Sequence, residues 1–150
     1  MEDLINRHDV EELVAGFYRE ALADSLLGPI FTDVARIDLA RHLPIMADFW
    51  ETVLFGTGTY RRNALQVHMV LHARSPLDGV HFARWLDLWE AAVRERFAGE
   101  KADLAVVQAH RMAGSIERRL AGGSGSDFGT IRHRDGTLVE TELPMLASKQ

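Results

Sequence analysis

Apolar side chains recur at helical spacing through residues 1–121, and this pattern constrains the fold more than any other feature of the chain. Leu13, Val14, Phe17 and Tyr18, for example, lie three or four residues apart, as residues on one face of an α-helix do. The strict alternation that is typical of strands has almost no support before residue 122. The sequence therefore predicts an all-α domain.

Capping residues and helix breakers set the expected bounds of five helices. Asp9 and Glu12 resemble a capping box that starts the first helix, and Gly28-Pro29 ends it. The second helix is expected from near residue 38 or 42 to residue 55, followed by helices over 65–71, 79–97 and 101–120. Because the helix around residue 68 is short, an irregular arrangement fits this pattern better than a regular four-helix bundle does.

The composition changes after residue 121. Residues 122–150 hold five of the 12 glycines, begin with a Gly/Ser-rich run and contain one aromatic residue, Phe128. Such a composition is typical of a flexible tail. We therefore expect one domain over residues 1–121 and a flexible C-terminal tail over residues 122–150.

Charge and composition exclude several classes of function. With 17 Lys+Arg against 22 Asp+Glu the net charge is −5, which does not favour nucleic acid or anionic lipid as a partner. No apolar run approaches the roughly 18 residues of a membrane span, and the start of the chain does not resemble a signal peptide, so we expect a cytoplasmic protein. Because the chain contains no Cys, thiolate metal sites and cysteine nucleophiles are excluded, and the seven His remain as candidate metal ligands.

His68 is the strongest candidate ligand among these histidines. It lies on the short helix with Val67, Met69 and Val70 as neighbours, where an imidazole needs a hydrogen bond or a metal to satisfy its ring nitrogens. His72 follows four residues later, a spacing also found in zinc hydrolases, but Met69 stands where their general base would be expected. The remaining histidines outside this helix and the second helix are expected to be solvated or packing residues: His8, His81, His110 and His133.

Four polar-tipped side chains from four different predicted helices form a possible set. Tyr18, His42 and Trp85 join His68, and each alone is consistent with core packing in which the polar tip turns outward. Together they are what a large, flat, apolar cofactor with one imidazole-bound iron needs. Pro44 suits only the first turn of a helix, so His42 is expected at the edge of the second helix.

Several short motifs in order along residues 6–121 resemble those of the truncated haemoglobins, and group III of that family most closely. They are Phe17-Tyr18, Leu27-Gly28-Pro29-Ile30-Phe31, His42-Leu-Pro-x-Met46 with Phe49-Trp50, Gly56-x-Gly58-x-Tyr60, His68, and Phe82-x-x-Trp85-Leu. The resemblance implies a shortened globin fold, in which a two-over-two helical sandwich surrounds a haem pocket. It does not extend to the tail.

The resemblance also implies roles for individual residues. His68 corresponds to the residue that ligates the iron of haem b, and Tyr18 and Trp85 correspond to hydrogen-bond donors on the distal side. His42 corresponds to the histidine that begins the distal helix and lies at the mouth of the pocket, where it would act as a gate. Met46 is a further expected ligand-binding residue in the apolar shell. Further contacts with the haem are expected from Phe49, Trp50, Leu65, His72, Phe82 and Trp89. Candidate partners for the propionates are Arg61, Arg62, His72 and Arg74.

Three classes of function follow from this assignment. The first is reversible binding of O₂ and other diatomic ligands such as CO and NO. The second is a redox enzyme that uses the same haem as a nitric oxide dioxygenase or in a peroxidase-like reaction, so enzymatic activity is left open. Because the chain has no Gly-rich dinucleotide motif, an external reductase would supply its electrons. The third is a haem-free, globin-like interaction module, which the presence of both Tyr18 and His68 disfavours.

Overall fold

The computed structural model describes residues 1–62 and 64–122, without the side chains of residues 64, 65 and 67. In these residues the chain forms five α-helices and one π-helical turn, with no strand, which confirms the predicted all-α class. The helices are α1 (Arg7–Ala23), α2 (Leu39–Phe55), α3 (Ala64–Arg74), α4 (Gly79–Arg96) and α5 (Glu100–Leu120), and the π-helical turn spans Ile30–Val34. No helix in the described part of the chain is long and apolar enough to cross a membrane.

The long helices pack as two pairs. α1 packs against α2, α4 packs against α5, and the pairs meet where α1 contacts α4 and α2 contacts α5. Burying each large apolar side chain between them stabilises the fold by roughly 1.5–3 kcal/mol. The largest fully buried side chains are Phe17, Phe31, Trp50, Phe82, Trp85 and Trp89. The short helix α3 contacts the other helices chiefly through α5.

The first helix begins earlier than the capping pattern predicts. Its N-cap is Asn6, whose side-chain oxygen accepts a hydrogen bond from the backbone N–H of Asp9 at 3.1 Å. The Asp9 carboxylate in turn accepts from the backbone N–H of Ile5 at 2.8 Å. The expected start at Asp9 and Glu12 is therefore wrong, because Asn6 supplies the cap three residues earlier.

An N-terminal residue caps α5 from a great distance in sequence. The Asp3 carboxylate accepts hydrogen bonds from the backbone N–H groups of Lys101 at 2.8 Å and Ala102 at 2.9 Å. Gly99, with a φ of 140°, precedes the helix, and a Cβ atom there would lie 2.6 Å from the Asp3 carboxyl group. Asp3 thus caps the N-terminus of α5 in place of an N-cap side chain, and the lack of a Cβ atom at Gly99 leaves room for the Asp3 carboxyl group.

α2 begins at Leu39, which agrees with the predicted start near residue 38, and it ends at Phe55 as predicted. It contains Pro44 beyond its first turn, so the expectation that His42 lies at the helix edge is wrong. Proline adopts the helical φ and removes one backbone donor, and here the helix continues despite that loss. Arg7 of α1 binds this helix through Asp48 at 2.6 Å and Glu51 at 2.9 Å, which holds α1 against α2.

Candidate functional site

Tyr18 of α1 and His42 of α2 meet inside the domain. The Tyr18 hydroxyl lies 2.7 Å from the His42 Nε2 atom, and the two rings are perpendicular with centroids 4.9 Å apart. Both side chains are buried, at 2% and 1% exposure. The structure therefore brings together two of the four polar-tipped residues and directs His42 inward.

The protonation of this pair decides what it can donate. Burial raises the pKa of the Tyr18 phenol well above its usual value, so the hydroxyl keeps its proton at neutral pH. If the hydroxyl donates to Nε2, only its oxygen lone pairs face other groups. If instead Nε2–H donates to the hydroxyl oxygen, the Tyr18 O–H is available as a donor to a ligand. The tautomer of His42 thus controls the hydrogen bonding of Tyr18.

Trp85 supplies a second donor. The side chain is 1% exposed and packs edge-on against Phe17, with ring centroids 5.6 Å apart. Within the described residues its Nε1–H group has no hydrogen-bond partner, whereas the same group of Trp89 donates to the Ala105 carbonyl at 3.2 Å. A buried donor without an acceptor costs roughly 1–3 kcal/mol. An acceptor atom of a bound ligand would remove that cost at Trp85.

Tyr18 and Trp85 both line one small apolar void, which His42 does not border. The void leaves no room for a water molecule between the side chains. Seven side chains line the void. Tyr18, Met46 and Trp85 are predicted ligand-binding residues, and Trp50 and Trp89 are predicted haem contacts. The other two are Val14 and Phe17 of α1. Val14 and Phe17 were not among the predicted site residues, although their spacing from Tyr18 on one face of α1 could have indicated them.

His68 is completely buried on α3, with 0% exposure. Its neighbours Met69 and Val70 are each 48% exposed, so the apolar surroundings predicted from adjacent residues do not come from these two. His68 is not among the residues that line the void. The side chain of Leu65, a predicted haem contact on the same helix, lies outside the described residues.

The remaining predicted site residues fall into two groups. Phe49 and Phe82 are buried, and the ring centroids of Phe49 and Trp50 lie 5.2 Å apart. His72 is half-buried, and its Nδ1 atom accepts a hydrogen bond from the backbone N–H of Leu77 at 2.9 Å, which leaves the ring proton on Nε2. The three candidate propionate partners besides His72 are exposed: Arg61, Arg62 and Arg74.

The other histidines take part in local interactions. His81 completes the capping box of α4, His8 lies 3.2 Å from Glu12, and His110 lies 3.7 Å from Glu90. His133 is outside the described residues. Across residues 1–62 and 64–122 no group of three or more His, Asp or Glu side chains could hold a metal ion by itself. A metal bound by His68 would therefore need further ligands from a cofactor.

The residue types at this site suit a haem, but the space between their side chains is too small to hold one. A buried imidazole, an unpaired buried indole N–H and an apolar lining are the groups that an iron porphyrin and its ligand require. The void has no room even for a water molecule, so a haem does not fit between these side chains as they stand. Binding of a group of that size requires the surrounding side chains to move apart.

Comparisons with known proteins agree with this set of residues. No family model matches the chain. A curated relative, the group 3 truncated hemoglobin ctb of Campylobacter jejuni, is 26% identical over 121 residues, which cover 79% of this chain and 93% of the relative. The crystal structure of the group III truncated hemoglobin from Campylobacter jejuni has a TM-score of 0.72 at 26% identity and matches 80% of this chain and 95% of that one. Sequence and fold therefore confirm the resemblance to the group III truncated haemoglobins, and the fold of this chain is that of a truncated globin.

Proposed function

We propose that this chain is a haem protein that reversibly binds O₂ and other diatomic ligands such as CO and NO. The relatives are named as haemoglobins, which supports a globin-type haem protein. The observation that carries the finer proposal is that Tyr18, hydrogen-bonded to His42, and Trp85, whose N–H has no partner among the described residues, line the same apolar void. Core packing alone does not account for a buried donor without an acceptor.

His68 is the proposed ligand to the iron. A neutral imidazole is a good ligand for haem iron, and the complete burial of His68 suits a ligand that is shielded from water. Because the chain contains no Cys, thiolate ligation and covalent attachment of the haem through a C-x-x-C-H motif are both impossible. The cofactor is therefore proposed to be haem b, held without covalent bonds.

Tyr18 and Trp85 are the proposed hydrogen-bond donors to the ligand. When bound, the haem iron supplies an open coordination position and gives electron density to the diatomic ligand. A hydrogen bond to a charged acceptor stabilises by roughly 1.5–3 kcal/mol. Since each 1.4 kcal/mol corresponds to about a factor of ten, one such donor slows ligand escape by about ten- to a hundredfold. CO gains less negative charge, so these donors favour O₂ over CO.

His42 is proposed to set the donor state of Tyr18. With the proton of His42 on Nε2, the imidazole donates to the Tyr18 oxygen and the hydroxyl proton points elsewhere, which makes it available to a ligand. Hydrogen bonds in such a chain polarise one another, so the donated bond strengthens the bond that Tyr18 makes. This role treats His42 as a positioning residue for Tyr18.

The proposed haem contacts lie in the apolar core and at its rim. Phe49, Trp50, Phe82 and Trp89 are buried and supply apolar surface. At the rim, the fixed Nδ1 acceptor of His72 leaves its Nε2–H as a donor suited to a propionate oxygen. The predicted contact of Leu65 belongs to the same proposal.

A redox reaction at the same haem is the second candidate. It is favoured by the buried Tyr18–His42 pair, which shares a proton across 2.7 Å and could deliver it to a bound peroxide. Nitric oxide dioxygenation and peroxidase-like turnover both fall in this class and require an external reductant. Steady-state turnover with a reductase separates them from reversible binding, in which no product accumulates.

Absorption spectroscopy of the purified full chain tests the proposal. Titration with haemin is expected to saturate at one haem per chain and to give an intense porphyrin band that shifts on reduction and again on addition of CO. If haemin binds without a defined stoichiometry and CO causes no shift, the chain is a haem-free module instead. The outcome also decides whether the core of the domain can open to admit the cofactor.

A further inference from the structure

One side of α3 presents apolar side chains to solvent. Met69 and Ala73 are one helical turn apart, Val70 lies beside them, and all three are exposed. His68 and Leu71 lie on the opposite side of the helix and are buried. Met69 and Val70 are each 48% exposed, so the described part of the chain leaves about half of their surface uncovered. The exposed residues Met69, Val70 and Ala73 are called the α3 outer face below.

The chain around this face is basic, although the protein as a whole is acidic. Residues 52–77 contain three Arg and no Asp or Glu, in a chain with a net charge of −5. Arg61 and Arg62 precede α3, Arg74 is its last residue, and all three are exposed. The α3 outer face therefore combines apolar side chains with positive charge near both ends of the helix.

A segment beyond the described residues has the complementary composition. Residues 138–146 read Leu-Val-Glu-Thr-Glu-Leu-Pro-Met-Leu, with five Leu, Val or Met, two Glu and no Lys or Arg. Residues 122–137, which connect this segment to α5, contain only two large apolar residues. The apolar residues of 138–146 suit the uncovered Met69 and Val70, and its two carboxylates suit the neighbouring arginines.

The connecting residues leave α5 near the end of α3. A Cβ atom at Gly79, the first residue of α4, would lie 3.1 Å from the carboxylate of Glu117 in the last turn of α5. The helix α3 ends five residues before Gly79, and the Leu77 backbone N–H donates to His72 Nδ1 at 2.9 Å across this connection. Fully extended, residues 121–137 can span roughly 50 Å. Since α3 is only about 16 Å long, residues 138–146 can reach any part of it.

We propose that residues 138–146 dock on the α3 outer face of the same chain, with Glu140 and Glu142 beside the arginines. Because the segment is tethered to α5, its effective concentration at α3 exceeds that of a second copy in solution. The inference holds with or without a cofactor. Docking also adds support to the helix that carries His68, which contacts the other helices chiefly through α5, and only this consequence rests on the proposed function.

Disulfide trapping in the full chain without added haem tests the proposal. Since the chain has no Cys, each double variant contains a single pair of thiols. The test pair is Met69→Cys with Leu143→Cys, and the control pair is Ile5→Cys with Leu143→Cys. Ile5 is 65% exposed and lies near Asp3, which caps the opposite end of α5. The connecting residues are long enough to reach either position, so the control measures collisions without docking.

Oxidised glutathione is expected to close the test pair within one chain about tenfold or more faster than the control pair. Mass spectrometry after alkylation of the remaining thiols measures both rates. Equal rates for the two pairs overturn the inference, because the segment then has no preference for α3. Disulfides that form mainly between two chains also overturn it, since a second copy then occupies the face.

Hydrogen exchange tests docking without a covalent bond. Leu143→Ser with Leu146→Ser removes two apolar residues of the segment, and Phe128→Ser with Ile131→Ser removes two from the connecting residues as the matched control. In the full chain without haem, the amides of residues 66–74 are expected to lose part of their protection in the first variant and to keep it in the control. If residues 66–74 exchange at the same rate in the wild type and both variants, the inference is wrong even if the haem titration succeeds.

Discussion

The Tyr18 hydroxyl and the His42 Nε2 atom lie 2.7 Å apart in the core although 24 positions separate them in sequence. Arg7 holds their two helices together by binding Asp48 and Glu51 of α2. Because one proton is shared between the hydroxyl and the imidazole, neither group can be assigned a role without the other. The proposed ligand chemistry of this chain depends on that pair and on the unpaired N–H of Trp85.

Tyr18→Phe is expected to speed O₂ dissociation by about tenfold or more, since it removes a hydrogen bond to a partly negative ligand. Stopped-flow displacement of O₂ by CO measures the rate. Haem content should change little, because the ring and its contact with Phe31 remain, whereas the melting temperature should fall, because the buried His42 Nε2 atom loses the Tyr18 hydroxyl. An unchanged dissociation rate would show that Trp85 or His42 supplies the main hydrogen bond.

A double-mutant cycle tests whether His42 acts through Tyr18. The effects of Tyr18→Phe and His42→Leu on O₂ dissociation are expected to be non-additive, with a coupling of about 0.5–3 kcal/mol, as for residues in one hydrogen-bonded network. In the Tyr18→Phe background, His42→Leu should therefore have little further effect. Strict additivity of the two substitutions would mean that His42 contacts the ligand independently.

Trp85→Phe and Trp89→Phe form a matched pair, because both replace a fully buried indole of α4 by a smaller ring. Trp89 loses a hydrogen bond to Ala105, whereas Trp85 has no partner to lose within the described residues. In the protein without haem, Trp89→Phe is expected to lower the free energy of unfolding by about 1 kcal/mol more than Trp85→Phe does. Urea denaturation measures the difference.

With haem bound, Trp85→Phe is expected to change the rate of O₂ dissociation more than Trp89→Phe does, although Trp89→Phe has the larger effect on stability. Trp85→Phe should speed O₂ dissociation, and Trp89→Phe should leave it nearly unchanged, because the Trp89 N–H already donates to Ala105 whereas the Trp85 N–H has no partner among the described residues. Equal effects of the two substitutions on the rate would contradict a donor role for Trp85.

The Asp3 cap predicts a pH-dependent contribution to stability. Desolvation raises the pKa of the Asp3 carboxyl group, but hydrogen bonds from the Lys101, Ala102 and Leu4 backbone N–H groups outweigh it, and the net shift is downward from 3.8. A carboxyl group with a depressed pKa in the folded state stabilises above the unfolded pKa, and this stabilisation is lost as pH falls through the folded pKa. The affected window lies below about pH 4.

Asp3→Asn is therefore expected to lower the free energy of unfolding by about 0.5–1.5 kcal/mol at pH 7, because an amide has one oxygen acceptor where the carboxylate uses two, and by less at low pH. Urea midpoints of the wild type and the variant across pH 2–7 check this. Glu2→Gln is the matched control, since it removes the neighbouring charge and leaves the cap in place. A stability difference between Asp3→Asn and the wild type that does not change with pH would show that the carboxylate charge is not what stabilises α5.

The helices could be predicted from local sequence, and the caps only in part. Apolar spacing and the break after Phe55 indicate the order of the helices, but the predicted end of the first helix at Gly28-Pro29 is wrong, since α1 ends at Ala23 with Asp24 as its C-cap. Asp9 with Glu12 matched a capping pattern, but Asn6 was available earlier and takes that role. The cap that Asp3 gives to α5 depends on the folded chain, because 98 positions separate Asp3 from Lys101.

The site follows the same division. The family motifs predict Tyr18, His42, His68 and Trp85 as site residues, but Pro44 suggested that His42 lies at a helix edge, whereas α2 continues through Pro44 and buries His42. The Trp85–Trp89 stack is foreseeable from a spacing of four residues on one helix. Its extension to Trp50 arises only when α2 packs against α4 and α5.

The central claim is that His68 binds the iron of a haem, and an absorption titration of His68→Gly with haemin tests it most directly. His110→Gly, at an exposed histidine of α5, is the control. The wild type and the control are expected to bind one haem with the same ferrous and CO spectra. His68→Gly should lose that spectrum and regain it when imidazole is added to fill the space of the side chain. If His68→Gly binds haem with the wild-type ferrous spectrum in the absence of imidazole, His68 is not the iron ligand.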